Sequence, residues 1–169
     1  MSRRIRDHYA GGQVFGPGYD LKRGRGGIRE CEFFAQIHQL IHGGRDPSLR
    51  APATVDALAA LGRAGHVTQE DVRTLIDAYQ LYRTIEHRLQ MVDDQQTHAL
   101  PKLAEALAGV ARLHGLATGQ ELLGQLQPHV AAVGLLYDGL EAGRADALPQ
   151  EGGPLEAMLL AAGFDDPRP

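Results

Sequence analysis

The chain contains no tryptophan, a single cysteine, only 5% aromatic residues and no long apolar run. Each absence closes off a class of protein. Few aromatic residues, set against abundant Ala and Leu, disfavour a sheet and favour helices. One thiol, Cys31, rules out an intramolecular disulfide and suits a reducing compartment. No segment approaches the roughly 20 apolar residues that span a bilayer. The first residues carry no apolar signal core, so the expected location is the cytoplasm and no membrane partner is expected. A large net charge is also missing. The formal value of −4 is not that of a nucleic-acid or membrane-surface binder. The chain lacks a Walker A ending (Gly-Lys-Ser/Thr) and a Gly-x-Ser-x-Gly nucleophile elbow. His38 and His42 stand four apart with no third ligand marked, so zinc is not expected. Asp165-Asp166 suggests a metal pair less than a disordered end. Neither a metal site nor a catalytic residue is assigned.

What remains is 43% hydrophobic and 22% charged, a globular composition in 169 residues. The charge is uneven. Residues 1–30 hold Arg3, Arg4, Arg6, Lys22, Arg23, Arg25 and Arg29 against Asp7, Asp20 and Glu30, so the basic end is where an anion would be met. The density of glycine over residues 1–27 predicts a looped or extended lead-in. Helical periodicity then predicts a bundle over residues 28–142. Its first helix, about Ile28 to His42, carries the stripe Phe33, Phe34, Ile37, Leu40 and Ile41, with Arg29, Glu32, Gln36 and Gln39 opposite. A second runs from about Ala53 to Arg63 and stops at Gly65. The longest, about Gln69 to Asp94, opens on a Thr68 cap. A fourth ends near His114, with Leu103, Leu107, Val110 and Leu113 inward. The fifth runs from a Thr118 cap to about Ala142, where Pro128 would kink or divide it and His129 would be a hydrogen-bonded core histidine. Residues 143–169 read as a linker and a short C-terminal helix. The expected fold class is all-α: an antiparallel helical bundle of about five helices behind a glycine-rich lead-in.

Two stretches point to chemistry. Asp20–Arg29 is a glycine-rich basic loop running into a helix N-terminus, where Lys22, Gly24, Arg25, Gly26, Gly27 and Arg29 would face a phosphate or nucleotide. A solvated basic linker fits the same residues. In the long helix, Glu86 and Asp93 fall on the apolar face set by Val72, Leu75, Tyr79, Tyr82 and Leu89. A buried carboxylate needs partners. Arg83 and Gln90 are the residues within reach of Glu86, by three- and four-residue spacing. The stretch either braces the glycine loop or a ligand, or ties helices together. Cys31, between Glu30 and Glu32, is not expected to be a nucleophile.

Asp20-Leu21-Lys22-Arg23-Gly24-Arg25-Gly26-Gly27-Ile28-Arg29-Glu30-Cys31-Glu32-Phe33 resembles the signature that follows the nucleotidyltransferase domains of the glutamine synthetase adenylyltransferase/deadenylyltransferase family. Gln39–Arg50 and Arg83–Pro101 look like its continuation, and the resemblance covers about residues 19–142. It implies a helical domain placed after a nucleotidyltransferase domain. Gln96-Thr97-His98 looks more like the first, AMP-removing half, and Gly163–Pro167 like the joint to the second. Cys31 stands where the family usually has an aliphatic residue. The family's Gly-Ser entry and magnesium-holding Asp-x-Asp pair do not occur in this sequence, and the catalytic part is expected before Met1.

The implied activity of the intact protein is phosphorolytic removal of AMP from glutamine synthetase, together with nucleotidyl transfer, using Mg2+ and ATP, ADP or phosphate. This chain alone is expected to bind no cofactor. Within it, Lys22, Arg25, Gly26, Gly27 and Arg29 would hold phosphate or nucleotide. Asp20, Glu32, Arg83, Glu86 and Gln90 would support the loop. The implied partners are glutamine synthetase, the PII signal protein and a neighbouring nucleotidyltransferase domain, with no nucleic acid. A non-catalytic module docking glutamine synthetase or PII stays open. So do the helical domain of a PII uridylyltransferase-like protein and a truncated reading frame without a role of its own.

Overall fold

The computed structural model describes residues 14–93 and 97–145. The expected short C-terminal helix, Asp165-Asp166 and the first thirteen residues lie outside the described residues, as does the Asp93 side chain. Five α-helices follow in order: α1 (Ile28–His42), α2 (Thr54–Arg63), α3 (Gln69–Asp93), α4 (Ala104–Leu113) and α5 (Gly119–Ala145). A 3-10 turn, Pro47–Leu49, lies between α1 and α2. No strand occurs among the described residues, so the fold is the all-α bundle that composition favours. None of these helices is long and apolar enough to cross a membrane. The chain divides into two compact units, Met1–Tyr137 and Asp138–Pro169, and of the second only the end of α5 is described.

Local signals set the helix boundaries. Thr68 Oγ1 accepts the Asp71 amide at 3.1 Å, ahead of the acidic first turn of α3. At α5, Thr118 Oγ1 accepts the Glu121 amide at 3.2 Å while the Glu121 carboxylate takes the Ala117 amide at 3.0 Å. Together these bonds make a reciprocal capping arrangement. Gly65 turns the chain off α2 with φ +76°. Pro128 lies inside one continuous α5 and does not divide it.

The core is a leucine-rich interior. Leu58 and Leu61 of α2, Leu75, Tyr82, Ile85 and Leu89 of α3, and Leu107 and Val110 of α4 are all at most 4% exposed. Leu122, Leu126, Val130 and Val133 line the buried face of α5. Burying each such side chain contributes about 1.5–3 kcal/mol. Consecutive helices from α1 to α4 pack on one another, and α1 also touches α3.

Two expected faces are corrected. α1 buries Ile28, Cys31, Phe34 and Ala35, whereas Phe33, Leu40 and Ile41 are 38%, 84% and 55% exposed. The helix is apolar on two sides, and the bundle takes the side whose small residues, Cys31 and Ala35, let helices approach closely. On the flanks of α4, Leu103 and Leu113 are exposed because they stand at its ends. His129 is part-exposed and not sealed in the core.

Candidate anion groove

The glycine loop is a closed knot. Asp20 Oδ1 accepts the amides of Lys22 and Arg23, both at 2.9 Å. The Gly24 amide goes to the Asp20 carbonyl at 2.8 Å, and that of Gly27 to the Gly24 carbonyl at 3.0 Å. The Gly26 amide donates to a Glu30 carboxylate oxygen at 2.8 Å. A helix leaves its first amides without intrahelical acceptors. In α1 these are already taken: Ile28 donates to Leu21, Arg29 to Lys22, and Glu30 and Cys31 to Gly27. The expected phosphate cradle of glycine amides and helix end is thus occupied by the chain's own acceptors. The glycines serve close packing instead. A Cβ on Gly26 would stand 2.0 Å from the Val130 carbonyl oxygen of α5, and φ there is +78°. One on Gly24 would stand 2.5 Å from the Tyr19 ring. Tyr19 is itself buried and donates its hydroxyl to the Arg25 carbonyl at 2.6 Å. Burial first, and the Glu30 and Asp20 carboxylates after it, push that phenol well above its usual range.

The lead-in is also paired with the segment after α3, a feature with no signal in either stretch alone. The Gly18 amide reaches the Leu100 carbonyl at 2.9 Å, Leu100 returns to Tyr19 at 2.9 Å, and Leu21 donates to His98 at 2.8 Å. An isolated antiparallel bridge joins Asp20 and Ala99. This pairing sets Lys22 opposite the outer face of α3.

On α3, Glu86 is 4% exposed. One of its oxygens accepts Arg83 Nη1 at 2.6 Å. The other lies 2.8 Å from His98 Nδ1, close but without the alignment of a hydrogen bond. The buried carboxylate therefore has the partner Arg83, as its spacing suggests. Its second partner comes from His98 rather than Gln90, because the pairing with the lead-in brings His98 back over the helix. Gln90 faces the adjoining groove. Glu32 does not touch the loop: its carboxylate lies 3.5 Å from the Tyr79 hydroxyl, between α1 and α3. Glu30, two residues earlier and so on a different face of α1, is the carboxylate that holds the loop.

The groove has a volume of about 830 Å3. Lys22, Arg83, His87, Arg88, Gln90 and His98 supply its polar wall, with Glu86 as the carboxylate among them and Met91 and Leu113 as an apolar edge. Arg88 closes the end of α4, donating to the Leu113 carbonyl at 2.8 Å and meeting His114 Nδ1 at 2.6 Å. Of the loop cations predicted to converge, only Lys22 reaches this groove. Arg25 lies against α5 beside Gly134. The Arg29 guanidinium sits over the Phe33 ring, 5.2 Å from its centre. His87 and Arg88 lie within the stretch Arg83–Thr97 that the sequence singles out but are not picked individually, and His98 lies just beyond it. Arg83, His87 and Gln90 do share one face of α3 by spacing, but nothing local ties that face to Lys22. Cys31 is buried and its thiol is pushed up to about 12 by burial, then by Glu30 and Glu32, so it is not a nucleophile at neutral pH. Among the described residues no group of three His, Cys, Asp or Glu is placed to hold a metal ion. The donor set described therefore does not fit the magnesium implied for the intact family enzyme.

Comparison with known proteins gives one family. A family model described as GlnD PII-uridylyltransferase matches residues 1–140. The chain is 47% identical, over 140 residues, to the bifunctional glutamine synthetase adenylyltransferase/adenylyl-removing enzyme of Caulobacter vibrioides, covering 83% of this chain and 14% of that one. The protein of the same name from Bradyrhizobium diazoefficiens is 41% identical over 172 residues, 99% of this chain and 17% of its own length. That of Agrobacterium fabrum is 49% identical over 115 residues, 68% and 12% respectively. The chain thus spans less than a fifth of the length of each of these relatives.

Proposed function

The chain belongs to the family described as GlnD PII-uridylyltransferase, and from that premise we propose that it is a helical domain supporting the adenylylation and deadenylylation of glutamine synthetase. The chemistry would be performed by a nucleotidyltransferase domain of the intact protein, which would supply the carboxylates for Mg2+ and the site for ATP, ADP or phosphate. The contribution of this domain is to hold the glycine loop rigid at the edge of that catalytic domain. One observation carries the reading. The loop is pinned from three directions, by His98–Leu100, by Glu30 and by the Val130 backbone. A flexible linker has no need of such fastening. The names of the relatives in Caulobacter and Bradyrhizobium supply glutamine synthetase as the protein acted on. The description of the family model keeps PII uridylylation as the alternative reaction.

A second reading has its own support. The outer stripe of α1, with Phe33, Leu40 and Ile41 exposed, suits a docking module for glutamine synthetase or PII without chemistry. A chimaera separates the two. Residues 14–137 would replace the matching segment of the Caulobacter protein, and transfer and removal of AMP on glutamine synthetase would be measured. Retention of both activities is expected. A folded chimaera that still binds glutamine synthetase but neither adds nor removes AMP would sink the supporting role in favour of docking.

A further inference from the structure

α1 ends beside the turn that joins α2 to α3, and histidines gather at that corner. His42, in the last turn of α1, and His66, just after Gly65, stack their rings with centres 3.8 Å apart and 10° between the planes. His38, one helical turn back along α1, has its ring centre 6.1 Å from that of His42 and its Nδ1 2.9 Å from the Phe34 carbonyl oxygen. We propose that the His42–His66 stack is a proton-sensitive clasp between the end of α1 and the α2–α3 turn, closed while at most one of the two rings carries a proton and opened when both do. Two neutral rings, or one charged and one neutral, stack favourably, whereas two imidazolium rings at this distance repel each other.

The surroundings give a second proton no support. The groups acting on His42 are His66 from the turn, His38 from α1 and Arg45 from the segment after it, each a cation or able to become one. A helix C-terminus ordinarily favours a positive charge, but that of α1 already has one. Arg50 donates Nε to the Gly43 carbonyl at 2.6 Å and Nη2 to the Gly44 carbonyl at 3.3 Å. The adjoining helices bring Arg63 at the end of α2 and Glu70 and Asp71 at the start of α3, where Asp71 accepts the Thr68 hydroxyl at 2.7 Å. Asp46 acts on His66 while accepting the Ser48 amide at 2.9 Å and hydroxyl at 2.6 Å. Acids on that side can balance one proton on the stack. Among the described residues, no carboxylate acts on His42. Desolvation, and then His66, hold His42 below its ordinary value of 6.5. With the folded value depressed, the stabilisation is complete above about pH 6.5 and is lost as the pH falls through the folded value. The corner can open without the bundle unfolding. Gly65 has φ +76° and open space about its Cα, which makes it the hinge. On either side the chain is held: Gln39 donates to the Leu49 and Ala51 carbonyls at 2.7 and 2.8 Å, and Val67 is buried.

The test is an NMR titration of the 169-residue chain, followed through the imidazole ring protons and the amides of residues 42–46 and 64–67, with helicity recorded alongside. The His42 midpoint is expected below 6.5. The nuclear Overhauser contact between the His42 and His66 rings should vanish as the pH falls through that midpoint, and both sets of amides should shift with it, at constant helicity. His66→Phe keeps a ring for the stack and removes its proton. In that variant the His42 midpoint should rise, though not fully, desolvation being the larger cause, and the ring contact should persist after His42 is protonated. His66 is exposed and its backbone amide bonds to the Leu61 carbonyl at 3.1 Å, so the variant should remain folded. His42→Phe is the reciprocal variant and should keep the contact in acid in the same way. A parent ring contact that survives protonation of His42, a His42 midpoint at or above 6.5, loss of helicity at that midpoint, or a His66→Phe variant that loses the contact where the parent does would each overturn the clasp.

Discussion

The glycine loop and the α3 groove share Lys22 but treat polar groups in opposite ways. In the loop, amides and carboxylates are matched internally: Asp20, Glu30 and the carbonyls of Leu21, Lys22 and Gly24 accept what the turn and the start of α1 have to donate. In the groove, Glu86 is paired with Arg83 and Arg88 with the end of α4, while among the described residues partners are lacking for the side chains of Lys22, His87 and Gln90. Glycine and positive charge together look like a ligand site in the sequence. The structure separates them, with glycine serving packing and charge facing outward from a neighbouring helix. A chain optimised only to fold would match its polar groups in both places, so the unmatched region is the one to examine for function.

Breaking the loop should have the largest effect. Gly26→Ala puts a methyl against the Val130 carbonyl in a backbone conformation that L residues rarely adopt, and should cost about 3 kcal/mol. Urea denaturation monitored by helicity measures it, and a cost under about 0.5 kcal/mol, normal for a surface site, would mean the loop is only a linker. A change in the groove should be smaller. Glu86→Gln removes the charge that Arg83 and His98 face but keeps the shape. It should lower stability by about 1–2 kcal/mol, limited because Arg83 is half in solvent. A Glu86→Gln variant as stable as the parent would show that the buried pair with Arg83 contributes nothing to the fold.

The smallest effect concerns the far end of the groove. His114 is held below its ordinary value of 6.5 by burial and then by the Arg88 guanidinium. A histidine with a depressed folded value favours its neutral form. Its contribution to stability is complete above about pH 6.5 and is lost as the pH falls through the folded value. NMR titration should place the His114 midpoint below 6.5, and Arg88→Ala should raise it without restoring it fully, burial being the larger cause. A midpoint that ignores Arg88 would remove that arginine from the electrostatics of the groove.

Much of the architecture was legible because it rests on local signals. Thr68 and Thr118 cap the helices they precede, and α1 covers the span that periodicity indicates. The orientation of α1 was not legible. Its apolar residues satisfy the helical period twice, and counting hydrophobic residues prefers Phe33 and Leu40 over Cys31 and Ala35, whose small size decides the packing. The polar centre divides in the same way. Arg83 and Glu86 are three apart and could be paired on paper, whereas His98 reaches Glu86 through a backbone pairing with Leu21. Glu30 and Glu32 are indistinguishable by composition. Which of them meets the Gly26 amide depends on the tight turn at Gly24–Gly27.

The approach of Gly26 to Val130 also bears on the order of folding. The two residues stand near opposite ends of the described chain, so their meeting closes a loop that contains nearly the whole bundle. The entropy of closure is met only once the intervening helices have shortened the distance. Contacts between successive helices are therefore expected first, and the seating of α5 on the loop last. Synthesis from the N-terminus leaves the loop without its seat until α5 emerges, so the basic segment is expected to take its final place only when the bundle is nearly complete.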